Sequence, residues 1–246
     1  VDDKPGGAGQ SARLHAISLE NGMARDRLKT LGAIIDQGVI PVFYHGDAEV
    51  CRRVIQACAN GGAKCIEFTN RGDFAPHVFL DLARHFAKAD PGVVLGVGSV
   101  VDAPTAALYI ANGANFVVGP MLNAEVAKLC NRRGVPYSPG CGSATEISDA
   151  QELGCEIVKV FPGESVGGPS FVKAVLGPMP WTKIMPTGGV EATAASLREW
   201  FGAGIIAAGI GSNLISRKLL DAGDYDGIEK KVRETIALVK SIRAGA

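Results

Sequence analysis

Short apolar runs recur along the chain, each followed by a stretch with helical patterning. The runs are GVIPVFYH (38–45), AKCIEFTN (63–70), GVVLGVGSV (92–100), ANFVVGP (114–120), VPYSPG (135–140), CEIVKVFPG (155–163), WTKIMPTGGV (181–190) and GIIAAGIGS (204–212). Their length, their Val and Ile content and the Gly, Pro and Asn at their ends read as strands. Behind them lie a helical segment opened by Asp47, then 74–88, 103–112, 123–133, 144–153, 169–176, 192–201 and the segments after 212. Strict strand-then-helix alternation predicts a parallel sheet. Eight such units without an internal linker predict a closed (β/α)8 TIM barrel, a fold that commonly takes about 200–250 residues as one domain.

Ahead of the first strand, NGMARDRLKTLGAIID (21–36) has Met23, Leu28, Leu31 and Ile35 near helical spacing. It is expected to be an N-terminal helical extension covering one end of the barrel. Residues 21–246 then form a single barrel domain, and residues 1–20 a flexible polar leader. The opening VDDKPGGAGQ has neither the basic n-region nor the apolar h-region of a signal peptide.

Composition narrows the function. Of 246 residues, 47% are hydrophobic, enough for one large core, and 25 basic residues balance 25 acidic ones. A neutral chain gives no electrostatic reason for a nucleic-acid partner, and no apolar run approaches the roughly 20 residues of a membrane span. The six cysteines form no CxxC pair and no zinc-finger spacing with histidine. They read as small buried hydrophobes in a reducing compartment, so a cytoplasmic location is expected. His45 ends the first strand, where a plain polar loop residue is the better expectation, and no residue pattern calls for a metal or another cofactor.

Candidate chemistry sits where a barrel carries it, at the C-terminal ends of the strands. Lys159 interrupts an otherwise apolar, β-branched run. An ammonium taken out of water costs several kcal/mol unless compensated. Alternation puts Lys159 on one face with Ile157 and Phe161, and Glu67 on one face with Thr69. Both charges should point to the barrel axis, since the other face meets the apolar helix layer, and near the mouth they are placed to neutralise one another. A desolvated lysine can lose its proton, attack a carbonyl and form a Schiff base, and a nearby carboxylate can shuttle the protons. Arg71, two residues beyond Thr69, suits a bidentate grip on a substrate carboxylate. The turns TGG (187–189) and GIGS (209–212) follow strands seven and eight. Glycine-rich turns there offer backbone N–H groups to an anion, with hydroxyls from Thr187 and Ser212.

With those residues in place, the chain resembles the 2-keto-3-deoxy-6-phosphogluconate / 4-hydroxy-2-oxoglutarate aldolase family. The pieces that carry the resemblance are GVIPVF, IEFTNR, GVGSVVD, ANFVVGPMLN, YSPGCGSATE, VKVFPGESVGG, MPTGGV and AGIGSNLI, in family order from about residue 36 to 215. The resemblance implies a class I, metal-independent aldolase on a (β/α)8 barrel, commonly trimeric. It makes Lys159 the Schiff-base residue and Glu67 the general acid/base. Arg71 and Ser99 would bind the keto-acid carboxylate, with Thr69, Pro120 and Phe161 also lining the substrate. Thr187, Gly188, Gly189, Gly211 and Ser212 would surround a distal phosphate or carboxylate.

The chain departs from the family pattern in three places. GVGS (96–99) stands where the family has glycine-alanine-glycine-threonine, and GPM (119–121) where it has serine-proline-glycine. Asn70 and Gly72 flank Arg71 where an apolar residue and threonine are usual. The implied reaction is retro-aldol cleavage of a 2-keto-3-deoxy-6-phospho sugar acid, or of 4-hydroxy-2-oxoglutarate, to pyruvate and an aldehyde. Two rival readings are a phosphosugar isomerase or epimerase with Glu67 as base and no adduct, and a non-catalytic sensor of phosphorylated sugar acids.

Overall fold

In the computed structural model, which describes residues 26–245, the sequence pattern folds as a closed ring of parallel strands with helices outside. Helix α1 (Arg27–Gln37) leads into β1 (Val39–Phe43), α2 (Ala48–Asn60), β2 (Cys65–Thr69), α3 (Ala75–Ala89), β3 (Val94–Gly98) and α4 (Ala103–Ala111). Then follow β4 (Val117–Val118), α5 (Ala124–Arg133), β5 (Tyr137–Ser138), β6 (Gly140–Cys141), α6 (Ala144–Glu152), β7 (Ile157–Val160) and α7 (Gly168–Leu176). The chain closes with β8 (Lys183–Pro186), α8 (Ala194–Gly202), β9 (Ala208–Ile210), α9 (Arg217–Asp221) and α10 (Tyr225–Ala244). Most helices start on a side-chain cap, Asp47 accepting from Glu49 and Val50 N–H and Asn123 from Glu125 and Val126 N–H. Such caps satisfy N–H groups that the first helical turn leaves without partners.

All pairings are parallel, in the orders β5-β4-β3-β2-β1-β9 and β6-β7-β8. Two features join these arcs into one barrel. A bridge between Thr187 and Gly209, with Ile206 N–H donating to Ile184 O, closes β8 onto β9. On the other side, the expected fifth strand (135–140) is two short pieces split at Pro139. Tyr137–Ser138 pairs backward with β4, Gly140–Cys141 pairs forward with β7, and the Pro139 carbonyl accepts from Lys159 N–H. Proline has no N–H to give a ladder, so the run cannot continue through it as a single regular strand.

Alternation sorts the side chains into two layers. Ile66, Phe68, Val97, Val158, Val160 and Ile184 face the helices. Ile40, Cys65, Phe116, Val118, Ile157, Met185 and Ala207 fill the barrel interior. Leu31 and Ile34 of α1 belong to that interior cluster, so the extension plugs the end of the barrel away from the strand C-termini. The expected apolar face of α1 needs correcting: Leu28 is 78% exposed, Ile35 only partly covered, and the residues seated inward are Thr30, Leu31 and Ile34. Leu31 is seated in the interior cluster and Ile35 packs against it as expected, while Ile34 joins them and Leu28 turns to the outside. Met23 and the leader lie outside the described residues.

Candidate active site

Glu67 and Lys159 stand one inward step above the interior cluster, on the same faces as Cys65 and Ile157. They are 1% and 5% exposed. The register sets Glu67 between Val42 and Gly96, and Lys159 between Gly140 and Met185. Although the two charges sense one another, they form no direct ion pair, contrary to the mutual neutralisation expected from sequence. Lys159 Nζ lies over the Phe161 ring, 4.5 Å from its centre. Glu67 Oε2 is buried without a hydrogen-bond partner.

Burial therefore dominates both titrations. It pushes the Glu67 carboxyl up, against the lowering influence of Lys159 and Arg71. It pulls the Lys159 ammonium down; Glu67 opposes that shift and Arg71 adds to it. Each shift is toward the neutral form, the direction that makes an amine more nucleophilic and a carboxyl a better proton donor.

Small residues make the room. A Cβ on Gly98 would stand 1.7 Å from Glu67 Oε1, and one on Gly209 would stand 2.4 Å from Thr187 Oγ1. At both glycines a polar side chain, Glu67 or Thr187, fills the space a methyl would need. Thr187 Oγ1 is the other buried polar side-chain atom without a partner among the described residues. Two unsatisfied polar atoms at one barrel mouth are atoms prepared for a ligand, since buried polar groups are otherwise nearly always paired.

A cleft of about 630 Å³ opens at the strand C-termini; Glu67 and Lys159 are not among the residues that line it, whereas their strand neighbours Thr69 and Phe161 are. Its lining includes Thr69, Arg71, Phe161, Thr187, Gly188, Gly189, Gly211 and Ser212, eight of the residues expected from sequence. Arg71 is exposed, and its guanidinium makes no hydrogen bond or ion pair among the described residues. Thr69 is less free, its hydroxyl donating to Phe43 O at 3.3 Å. Gly188 and Gly189 have φ of 89° and 84°, a left-handed conformation that glycine alone adopts without strain. The backbone N–H groups of Gly188, Gly189, Gly211 and Ser212 donate to no acceptor among the described residues.

Ser99 and Pro120 end β3 and β4 outside the cleft lining. Ser99 takes φ 60°, the one positive φ of a non-glycine among the described residues, and the Pro120 carbonyl packs against Gly140. Sequence reasoning passed over Tyr44, Asn213 and Arg217, which line the cleft, as does His45. The His45 Nδ1 accepts from Asp47 N–H at 3.0 Å, and Arg217 pairs with Asp221 at 3.5 Å. The position of Tyr44, at the end of the first strand, was the available signal. Arg217 had none, because α9 begins past the last predicted strand. Among the described residues no group of His, Cys, Asp and Glu is gathered for a metal ion.

The family model described as "Aldolase: KDPG and KHG aldolase" matches residues 33–231. The chain is 33% identical over 202 residues to the 2-dehydro-3-deoxy-phosphogluconate aldolase of Haemophilus influenzae, covering 82% of this chain and 92% of that protein. It is 30% identical over 198 residues to the KHG/KDPG aldolase of Escherichia coli, covering 80% and 90%. Among solved structures, the 2-keto-3-deoxy-6-phospho-gluconate aldolase of Zymomonas mobilis superposes with a TM-score of 0.73 at 26% identity, covering 87% of this chain and 98% of that one.

Proposed function

The chain belongs to the KDPG and KHG aldolase family, and from that premise we propose that Lys159 is its Schiff-base lysine and Glu67 its general acid/base. The observation that carries the assignment is the pair itself: an inward lysine and an inward glutamate, both buried at the strand C-termini and both biased toward their neutral forms. The reaction is class I aldol cleavage of a 2-keto-3-deoxy-6-phospho sugar acid or of 4-hydroxy-2-oxoglutarate. Membership of an aldolase family leaves the isomerase and sensor readings without support.

The neutral Lys159 amine adds to the C2 carbonyl carbon, and the carbonyl oxygen takes a proton, giving a carbinolamine. Glu67 protonates the departing hydroxyl, water leaves, and a protonated imine remains. The Glu67 carboxylate then accepts the C4 hydroxyl proton, directly or through water. The C3–C4 bond breaks, its electron pair moves into the C2–C3 bond, and the imine π pair moves to nitrogen. The aldehyde departs, leaving an enamine. Protonation at C3 and hydrolysis of the imine release pyruvate and restore the amine. Burial supports both roles, since a lowered pKa makes a lysine easier to deprotonate and so more nucleophilic, and a carboxyl with a raised pKa can donate as well as accept.

The cleft supports the placing of the two ends of the substrate. Arg71, unpaired at the rim, takes the keto-acid carboxylate, with Ser99 nearby at the end of β3. The open N–H groups of Gly188, Gly189, Gly211 and Ser212, with Thr187 Oγ1, take the distal anion, and their number suits a phosphate better than a single carboxylate. Pro120 and Phe161 flank the reacting carbons. We further propose a homotrimer in the cytoplasm. Phe74, Val101, Leu108 and Met121 are between 43% and 75% exposed on consecutive βα units, which suits burial against another copy. The six described cysteines are all free and buried, which suits a reducing compartment. Light scattering should then give about three times the 25.5 kDa chain mass.

Incubation with pyruvate and borohydride, followed by intact-mass and peptide mapping, tests the central assignment. A reduced pyruvyl adduct on Lys159 is expected. Folded, active protein with no adduct, or with the adduct on another lysine, refutes it.

A further inference from the structure

Arg71 has a free side chain but a tightly held backbone. On one flank, Asn70 N–H donates to Gly98 O at 2.9 Å, and Asn70 Oδ1 accepts from Tyr109 Oη at 2.8 Å. Tyr109 is a fully buried residue of α4. On the other flank, a Cβ on Gly72 would stand 2.0 Å from Tyr44 Oη and 3.0 Å from Tyr44 Cζ. The tip of Tyr44 therefore rests on the Gly72 backbone, in the space a side chain would occupy.

The two tyrosines end a single row of rings. Tyr44 packs on Phe68 with centroids 5.6 Å apart, Phe68 on Phe79 at 6.0 Å, and Phe79 on Tyr109 at 5.1 Å. Phe68 lies in β2 between Glu67 and Thr69, so the row is anchored to the strand that carries the acid/base residue. Such aromatic contacts have preferred geometries and resist sliding. Burial, with a further push from Tyr44, raises the Tyr109 phenol, which keeps it a proton donor to Asn70. Asn70 and Gly72 are also the two positions beside the arginine where this chain leaves the family pattern. Each departure thus has its own aromatic partner.

We infer that Tyr44 and Tyr109 are positioning residues that clamp the Asn70–Gly72 turn and so aim Arg71 at the carboxylate of the 2-oxo acid. The inference rests on the Schiff-base reading above and deepens it. The clamp acts through Arg71, so it should affect recognition of a charged carboxylate and leave the nucleophile alone.

The test measures how borohydride-trapped adduct on Lys159 depends on ligand concentration, for pyruvate and for its uncharged ester, methyl pyruvate. Tyr109→Phe removes one hydroxyl and leaves Asn70 Oδ1 without its donor. Gly72→Ala pushes Tyr44 off the turn. In both variants the half-saturating pyruvate concentration should rise about five- to tenfold, the scale of a modest misplacement of a binding group, while that for methyl pyruvate stays within about twofold. Equal loss for both ligands would show general loosening of the barrel mouth and overturn the clamp. Unchanged pyruvate affinity in the two variants would overturn it as well. If the unaltered protein forms no adduct at all, the Schiff-base reading falls and the clamp falls with it, an outcome distinct from the other two.

Discussion

Gly98 offers the sharpest test of whether Glu67 works from where the structure puts it. An alanine Cβ there would lie 1.7 Å from Glu67 Oε1, 2.5 Å from Cδ and 3.0 Å from Cγ. Ordinary contact begins at 3.4 Å, so the oxygen must retreat by 3.4 − 1.7 = 1.7 Å. Glu67 is 1% exposed, so it has little free space to retreat into. Either the carboxyl swings out of line with the substrate, or β2 and β3 part at the Thr69–Gly98 register. Misplacement by about 1 Å can cost ~10²-fold in rate, and general acid–base catalysis is worth ~10²–10⁴-fold. Gly98→Ala should therefore lower kcat by ~10²–10³-fold and stability by ~1–3 kcal/mol, the usual cost of an overpacked core. Cleavage is followed by coupled detection of pyruvate, and stability by denaturant titration. The deciding comparison repeats Gly98→Ala in a Glu67→Ala background, read as the rate of pyruvate trapping. There the new methyl enters vacated space and should cost under about threefold, because the two changes act on one contact. Near-normal turnover in Gly98→Ala, or the same large loss in both backgrounds, would refute the reasoning.

Two further outcomes follow from the same geometry. Lys159 has a lowered pKa, so between its folded value and 10.5 the folded state binds fewer protons than the unfolded one, and the lysine's contribution to stability rises with pH through that window. Lys159→Met should thus abolish turnover yet raise Tm at neutral pH by a few degrees, about 2–4 °C per kcal/mol at this size. The gain should shrink as pH approaches 10.5; a variant less stable than the parent at pH 7, or a gap flat in pH, contradicts this. Ile34, 1% exposed in the helix that plugs the barrel, should cost ~2–5 kcal/mol on change to alanine. Trapping at Lys159 should stay within about twofold below the lowered Tm, and loss of trapping in folded protein would mean that the plug reaches the reacting end.

The barrel was legible because its signal is repetitive: eight apolar runs, each trailed by a helix, tolerate errors at any one boundary. Lys159 and Glu67 were legible for a different reason, being charges in runs that otherwise exclude them. What stayed hidden depends on contacts across the ring. The break of the fifth run at Pro139 could be suspected from the proline, but that its halves pair with different neighbours, β4 and β7, leaves no trace in the periodicity. The inward face of α1 is set by the opening it covers, so Ile34 is seated beside Leu31 while Leu28 is left exposed. The roles of Gly98 and Gly209 lie in what stands opposite them, Glu67 and Thr187, on other strands. Tyr44 reaches the cleft from the loop after β1, where side-chain direction has no period to read, and Arg217 from the first turn of the short helix α9.

The Arg243 guanidinium donates to the carbonyls of Ile35, Asp36 and Ile206, while Arg27 grips Glu156 and the Val135 and Gly154 carbonyls. These are the entry sides of β1, β9, β7 and β5, so α1 and α10 are moored to the floor of the barrel. The chemistry proposed above occupies its roof. Immobilising the enzyme on a support through its floor would leave the roof open to substrate. The loops above can likewise be rebuilt for other aldehydes without touching either mooring.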